Sequence, residues 1–208
     1  MDKKFAIFDM DGTLVDSMIF WKNLASEYLH SKGVESIPAD LLEQVKPMTM
    51  SESAALFQAE FGLNGDPEAE MNAMMDDHYR RDIPLKPGVF EYLHMLSRKG
   101  VKMCVASATA EPLMASCLGR LGVLPCFDFL LSCETVGAGK SSPAVYLEAA
   151  HRMGADSAET AVYEDALYAV ETAKNAGFYV VGVYDESADW EAVNSIADET
   201  IPNWEDAL

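Results

Sequence analysis

Apolar residues along this chain follow two rhythms. Short runs at 4–9, 102–107, 129–132, 160–163 and 179–184 are apolar almost throughout. They predict β-strands covered on both faces, because a strand with one wet face would alternate instead. Between these runs, apolar positions recur at three and four. Val89, Leu93 and Leu96 share one helical face ahead of Gly100, and a helix over 166–176 runs into Gly177, a residue suited to closing it. Strand, helix, strand repetition with right-handed crossovers predicts an α/β fold built on a doubly wound parallel sheet.

One interval breaks the rhythm. From Leu14 to Pro84 the pattern is helical only. Phe20, Leu24 and Tyr28 recur every four residues toward Gly33, with Asp16 and Ser17 placed to cap that helix. Thr49 and Glu52 have the spacing of a capping box ahead of Leu56 and Phe57, and Gly62 ends that run. Asp66-Pro67 opens a further helix with Met71, Met74, Met75 and Tyr79 on one face. A methionine stripe could mark an adaptable binding surface, but core is the plainer reading. The expected organisation is a core domain of 1–14 and 85–208 with a helical domain, 15–84, inserted after the first strand.

Composition narrows the partners. The chain has 208 residues, enough for one good core and a small second unit. Its 34 acidic against 15 basic residues give a net charge of −19. Such a field repels nucleic acid and anionic membrane, so neither is expected as a partner. Cys104, Cys117, Cys126 and Cys133 show no CxxC spacing. A zinc site or disulfide framework is not expected, and a reducing cytoplasm is the simpler setting. The start MDKKFAIF carries no long apolar signal segment, and no stretch approaches membrane-spanning length. A cytoplasmic monomer is the expectation.

The chemistry should lie beyond the carboxyl ends of the strands, where parallel sheets bind their ligands. The first strand leads into Asp9, Met10, Asp11, Gly12 and Thr13. Two carboxylates two positions apart share a face of extended chain. They repel unless one takes a proton or a cation sits between them. The second strand ends at Ser107, followed by Ala108 and Thr109. Lys140 lies in the loop GAGKSSP, and Glu164 and Asp165 lie in VYEDA. This set suits phosphoryl transfer. Magnesium takes oxygen ligands and would relieve the repulsion among Asp9, Asp11 and Asp165. One aspartate can attack phosphorus, and Asp11 can protonate the leaving oxygen and then activate water. Lys140 and Ser107 can hold the non-bridging oxygens. Glu164 reads equally as a supporting hydrogen-bond partner or a water-mediated magnesium contact. Trp21 reads equally as core or as part of a substrate lid.

DMDGT after a strand resembles the first motif of the haloacid dehalogenase-like (HAD) phosphatase superfamily. The resemblance continues in order through Ser107, Lys140 in GK-x-x-P, and Glu164-Asp165. The helical insert resembles the cap of the subgroup that includes β-phosphoglucomutase and phosphoglycolate phosphatase. The resemblance implies a Rossmann-like core with an α-helical cap, Asp9 as nucleophile and Asp11 as acid/base. It implies magnesium held by the Asp9 side chain, the Asp11 main-chain carbonyl and Asp165, and phosphate held by Ser107, the Ala108 amide and Lys140. Four positions depart from the subgroup pattern: Ser141, Ala144, Ala166 and Ala169. In the cap, the mutase's characteristic histidine falls at Trp21 and its phosphate-binding arginine near Met50.

The expected function is a magnesium-dependent phosphatase that hydrolyses a small, singly phosphorylated metabolite through an aspartyl-phosphate. A sugar-phosphate mutase is the alternative, which Trp21 and Met50 weaken. A receiver-like phospho-aspartate domain is the alternative from another class, and the inserted helices and Asp11 speak against it. The insert is expected to move as a lid hinged at 14–15 and 84–87, with Trp21 offering an apolar wall at the cleft.

Overall fold

The computed structural model of the chain describes residues 3–45, 48 and 50–208. Among these, six strands form one sheet: β1 (Phe5–Phe8), β2 (Lys102–Ser107), β3 (Phe129–Ser132), β4 (Thr160–Glu164), β5 (Tyr179–Val183) and β6 (Glu199–Ile201). Every neighbouring pair is parallel, in the order β3-β2-β1-β4-β5-β6. The five apolar runs are the first five strands. β4 extends one residue beyond the expected run, which puts Glu164 on the strand itself. The sequence pattern did not predict β6: it is three residues long, lies at the sheet edge and buries only Ile201.

The described helices are α1 (Met18–Ser31), α2 (Ala39–Val45), α3 (Met50–Phe61), α4 (Pro67–Arg81), α5 (Val89–Arg98), α6 (Glu111–Arg120), α7 (Cys133–Val136), α8 (Ala144–Met153), α9 (Leu167–Asn175) and α10 (Trp190–Ile196). The chain divides into two compact units. One comprises the residues through Asp16 together with Pro84–Leu208, and the other is Ser17–Ile83.

In the first unit, alternation along β1 sends Ile7 to one face of the sheet and Phe8 to the other. Ile7 joins Cys104, Ala106, Val162 and Val180 from neighbouring strands, packed with Val145, Tyr146 and Ala149 of α8 and Val170 and Ala173 of α9. Phe8 stacks on Tyr163 with ring centroids 4.2 Å apart. Tyr163 shares a 2.9 Å hydroxyl contact with Tyr92 of α5, and Trp204 packs edge-on against Tyr92 at 4.8 Å. Each such fully buried side chain contributes about 1.5–3 kcal/mol of transfer free energy. Helices therefore cover both faces, which is why the strands read as continuous apolar runs. Cys104 is buried in β2, and that burial pushes its thiol pKa up.

The second unit is helical. Leu24, Tyr28 and Leu29 of α1 are buried, as are Met71, Met75 and Tyr79 of α4 and Phe57 of α3. Tyr28 and Phe57 stack at 6.2 Å. The methionine stripe is core, with Met74 only half-buried. Asp66 caps α4 by accepting the Ala69 amide at 3.0 Å, with Pro67 in the first turn. At α1 the expected side-chain cap is corrected: Ser17 holds the capping position, but its backbone carbonyl, not its hydroxyl, receives the amides of Phe20 and Trp21. Thr49 of the expected capping box lies outside the described residues. Among the described residues no helix is long and apolar enough to cross a membrane.

Candidate active site

Strand order fixes where the site falls. Consecutive strands run outward from β1 on one side and from β4 on the other, so the direction of winding switches between them, where an open α/β sheet leaves its ligand crevice. In register, Phe8 pairs with Tyr163, so the next residue of each chain brings Asp9 level with Glu164. The Asp9 amide donates to the Tyr163 carbonyl at 3.0 Å, which holds Asp9 to the sheet.

After Asp9 the chain must leave the strand without losing Asp11 and Thr13. The amides of Leu14 and Val15 both return to the Met10 carbonyl, and the Gly12 amide donates to the Val15 carbonyl. Trp204 pins the loop by donating its indole N–H to the Thr13 carbonyl at 3.1 Å. Gly12 has a φ of +80°, and a Cβ there would stand 2.5 Å from Asp165 Oδ2. The glycine thus meets a backbone requirement and a steric one together. Thr13 donates its hydroxyl to Asp165 Oδ1 at 2.9 Å, which orients that carboxylate.

Lys140, 6% exposed, closes the cluster. Its ammonium donates to Asp9 Oδ1 and, at 2.7 Å, to Glu164 Oε1. The Tyr146 hydroxyl donates to the same Glu164 oxygen at 2.6 Å. Asp9, Glu164 and Asp165 are all buried, and each offers a carboxylate oxygen within 4.8 Å of the others. One lysine faces three carboxylates, so negative charge is in surplus. Burial pushes Asp9 up to about 8 against the pull of Lys140, with Glu164 and Asp11 adding to the rise. Burial, then Asp9, pushes Asp165 up to about 7 against the Thr13 hydrogen bond. Burial also raises Glu164. Lys140 stays charged: burial disfavours its ammonium, but Asp9 and Glu164 outweigh that and raise its pKa.

An all-oxygen, buried, charge-surplus donor set fits a hard divalent cation such as magnesium, which prefers carboxylates and carbonyls to nitrogen or sulfur. The residues that could hold one are Asp9, Asp165 and Glu164.

The sequence placed Asp9 and Asp11 side by side as the crowded pair. The Asp11 charge does bear on Asp9, but β1 ends at Phe8 and the Asp11 side chain is not in the three-carboxylate group. Its Oδ2 instead accepts from Thr109 Oγ1 at 2.7 Å and faces Ser107 Oγ at 3.4 Å. Ser107 ends β2, and its hydroxyl oxygen receives the Thr109 amide at 3.1 Å. Ala108 is exposed in the bend between them. Trp21 belongs to the helical unit, where its half-buried ring donates N–H to Tyr79 Oη at 3.1 Å. Sequence reading assigned no role to Thr13, Thr109 or Tyr146. Thr109 had a usable signal, since it sits two positions after Ser107 at a strand end.

The family model described as "Haloacid dehalogenase-like hydrolase" matches residues 6–183. Hexitol phosphatase B of Escherichia coli (strain K12) is 28% identical over 175 residues, 82% of this chain and 79% of its own length. The beta-phosphoglucomutase of Bacillus subtilis (strain 168) is 26% identical, over 86% of this chain and 83% of its own. In fold, a crystal structure of a candidate beta-phosphoglucomutase from Thermotoga maritima aligns with a TM-score of 0.84 at 24% identity, over 98% of this chain and 95% of that one.

Proposed function

The chain belongs to the haloacid dehalogenase-like hydrolase family, and from that premise we propose that it is a magnesium-dependent phosphomonoesterase acting on a small, singly phosphorylated metabolite. The observation that carries the reading is the buried cluster at the sheet's switch point, in which Lys140 is ion-paired to Asp9 and Glu164 while Asp165 closes the group.

In this reading the Asp9 carboxylate attacks phosphorus and the bond to the leaving oxygen breaks. Asp11, as the acid, delivers its proton to that oxygen. Asp11, now a carboxylate, takes a proton from water. The water oxygen attacks the phosphorus of aspartyl-phosphate, which restores Asp9 and releases inorganic phosphate. Lys140, the Ser107 hydroxyl and the Ala108 amide hold the non-bridging oxygens as charge shifts onto them. The Asp9 and Asp165 side chains and the Asp11 main-chain carbonyl would hold magnesium, with Glu164 supporting Lys140 beside them. When bound, the ion supplies the positive charge that lets an anionic ester approach an anionic nucleophile. The helical unit is assigned the role of a lid that chooses the leaving group. Trp21, its ring fixed by Tyr79, is a proposed substrate contact. Trp21→Ala should reorder substrates more than it slows a small generic ester, and a uniform loss would make the residue structural.

The test is phosphate release from a panel of metabolite phosphates with magnesium, alongside Asp9→Asn. Turnover by the native chain and none by the variant is expected. No catalytic release from any ester, or full activity in Asp9→Asn, would sink the reading. The Bacillus subtilis relative favours a second reading, a sugar-phosphate mutase. Trp21 and Met50 supply neither imidazole nor guanidinium to grip a second phosphate, and interconversion of hexose phosphates would reverse the preference.

A further inference from the structure

Two hydroxyls converge on one oxygen of Asp11. Thr109 Oγ1 lies 2.7 Å and Ser107 Oγ 3.4 Å from Asp11 Oδ2. The shorter contact spans 98 positions of sequence, so it is not a local turn device. It ties the loop after β1 to the loop after β2. Ser107 Oγ accepts the Thr109 amide at 3.1 Å, which fixes the two hydroxyls relative to each other.

The consequence is chemical. A carboxylic acid carries its proton on one oxygen, and a hydroxyl hydrogen bond is best accepted by the other, carbonyl-like oxygen. With Thr109 donating to Oδ2, the proton of a protonated Asp11 belongs on Oδ1. A proton donor must also be aimed to work, because acid assistance requires hydrogen-bond reach to the atom that receives the proton.

We propose that Thr109 is a positioning residue for the acid/base step. Its hydroxyl holds Asp11 with Oδ1 as the oxygen that gives and takes the proton. The proposal rests on the reading of Asp11 as general acid. It also makes the contribution of Thr109 to the bond-breaking step depend on the leaving group: where the leaving oxygen departs as an alkoxide, the proton must arrive with it, whereas a nitrophenolate departs as a stabilised anion and needs little help.

The experiment compares kcat/KM for glycerol 1-phosphate and p-nitrophenyl phosphate in the native chain, Thr109→Val, Thr109→Ser and Asp11→Asn. A well-placed general acid is worth about 10²–10⁴-fold, so partial misplacement in Thr109→Val should cost at least about tenfold on glycerol 1-phosphate. The loss on the nitrophenyl ester should stay within about threefold. Thr109→Ser, which keeps the hydroxyl, should recover most of the loss, and Asp11→Asn should show the same asymmetry more strongly. An equal loss on both esters in Thr109→Val, or none on the alkyl ester, would overturn the proposal while the asymmetry of Asp11→Asn kept the acid assignment. A symmetric Asp11→Asn profile would overturn both. A native chain inert to both of these esters and to every ester of the metabolite panel would overturn the phosphatase reading and this inference with it.

Discussion

The ammonium of Lys140 is ion-paired to the carboxylate of Asp9, 131 residues earlier in the chain. Lys140 offsets one negative charge among three, so its removal and that of Asp9 should have opposite effects on stability. Asp9→Asn should lower phosphate release below about one-thousandth, yet leave the metal-free protein as stable as before or more so, since a surplus charge is gone. Lys140→Met should also abolish release but should cost about 3–5 kcal/mol, because it strands buried carboxylates without their cation. Thermal unfolding under chelation separates the two. Equal destabilisation by both would show that the pair, and not the surplus, governs stability.

Tyr146 tests the next layer. Its ring is fully buried in the packing of α8, and its hydroxyl donates to Glu164 Oε1 at 2.6 Å. Tyr146→Phe keeps the ring and removes one of two donors to a buried carboxylate. A cost of about 1–3 kcal/mol is expected, read as a Tm lower by several degrees. Activity should fall less than in Lys140→Met, since Lys140 still reaches Glu164. An unchanged Tm would mean that the hydroxyl is idle.

What the sequence could and could not reveal follows from range. Strands β1 to β5 were legible because burial on both faces leaves an unbroken apolar run, and β6 was not because a three-residue edge strand that buries only Ile201 leaves none. Asp9, Glu164 and Asp165 were legible as residue types at strand ends, a position the fold itself makes functional, and Lys140 only through its motif in the loop after α7. Tyr146 was not. It lies at a helical core position, and nothing local says that its hydroxyl meets a carboxylate 18 residues away. That the Asp11 side chain lies outside the three-carboxylate group was not legible for a related reason: alternation holds only while the strand lasts, and β1 ends before it.

In the helical unit, His78 on α4 meets Asp82 Oδ2 at 2.9 Å and Glu27 Oε2 at 3.1 Å. Burial disfavours the imidazolium, but the hydrogen bonds to Asp82 and Glu27 outweigh it and raise the His78 pKa. A raised histidine stabilises fully below its unfolded value, about 6.5, and loses that stabilisation as pH climbs through the folded value. Both carboxylates are about half exposed, so water screening limits the contribution to about 0.2–1 kcal/mol. The native chain should exceed His78→Gln in Tm at about pH 5.5 and match it near pH 8.5. A difference independent of pH would point to packing against Phe20, 4.8 Å away, instead of charge.

Gly12→Ala probes the metal reading without replacing a carboxylate. The added Cβ would stand 2.5 Å from Asp165 Oδ2, and the backbone there has a φ of +80°. Either the loop shifts or Asp165 swings away, and both break the hydroxyl bond by which Thr13 orients Asp165. Disturbing such a supporting contact typically costs about 10- to 100-fold in metal affinity. The magnesium concentration that half-activates the enzyme should rise by that factor, with much of the activity recovered at saturating metal. The magnesium-dependent rise in Tm should move to higher concentration in parallel, a readout independent of turnover. Half-activation unchanged in a folded variant would mean that Asp165 does not hold the ion, and the assignment would have to move to Asp9 and Glu164.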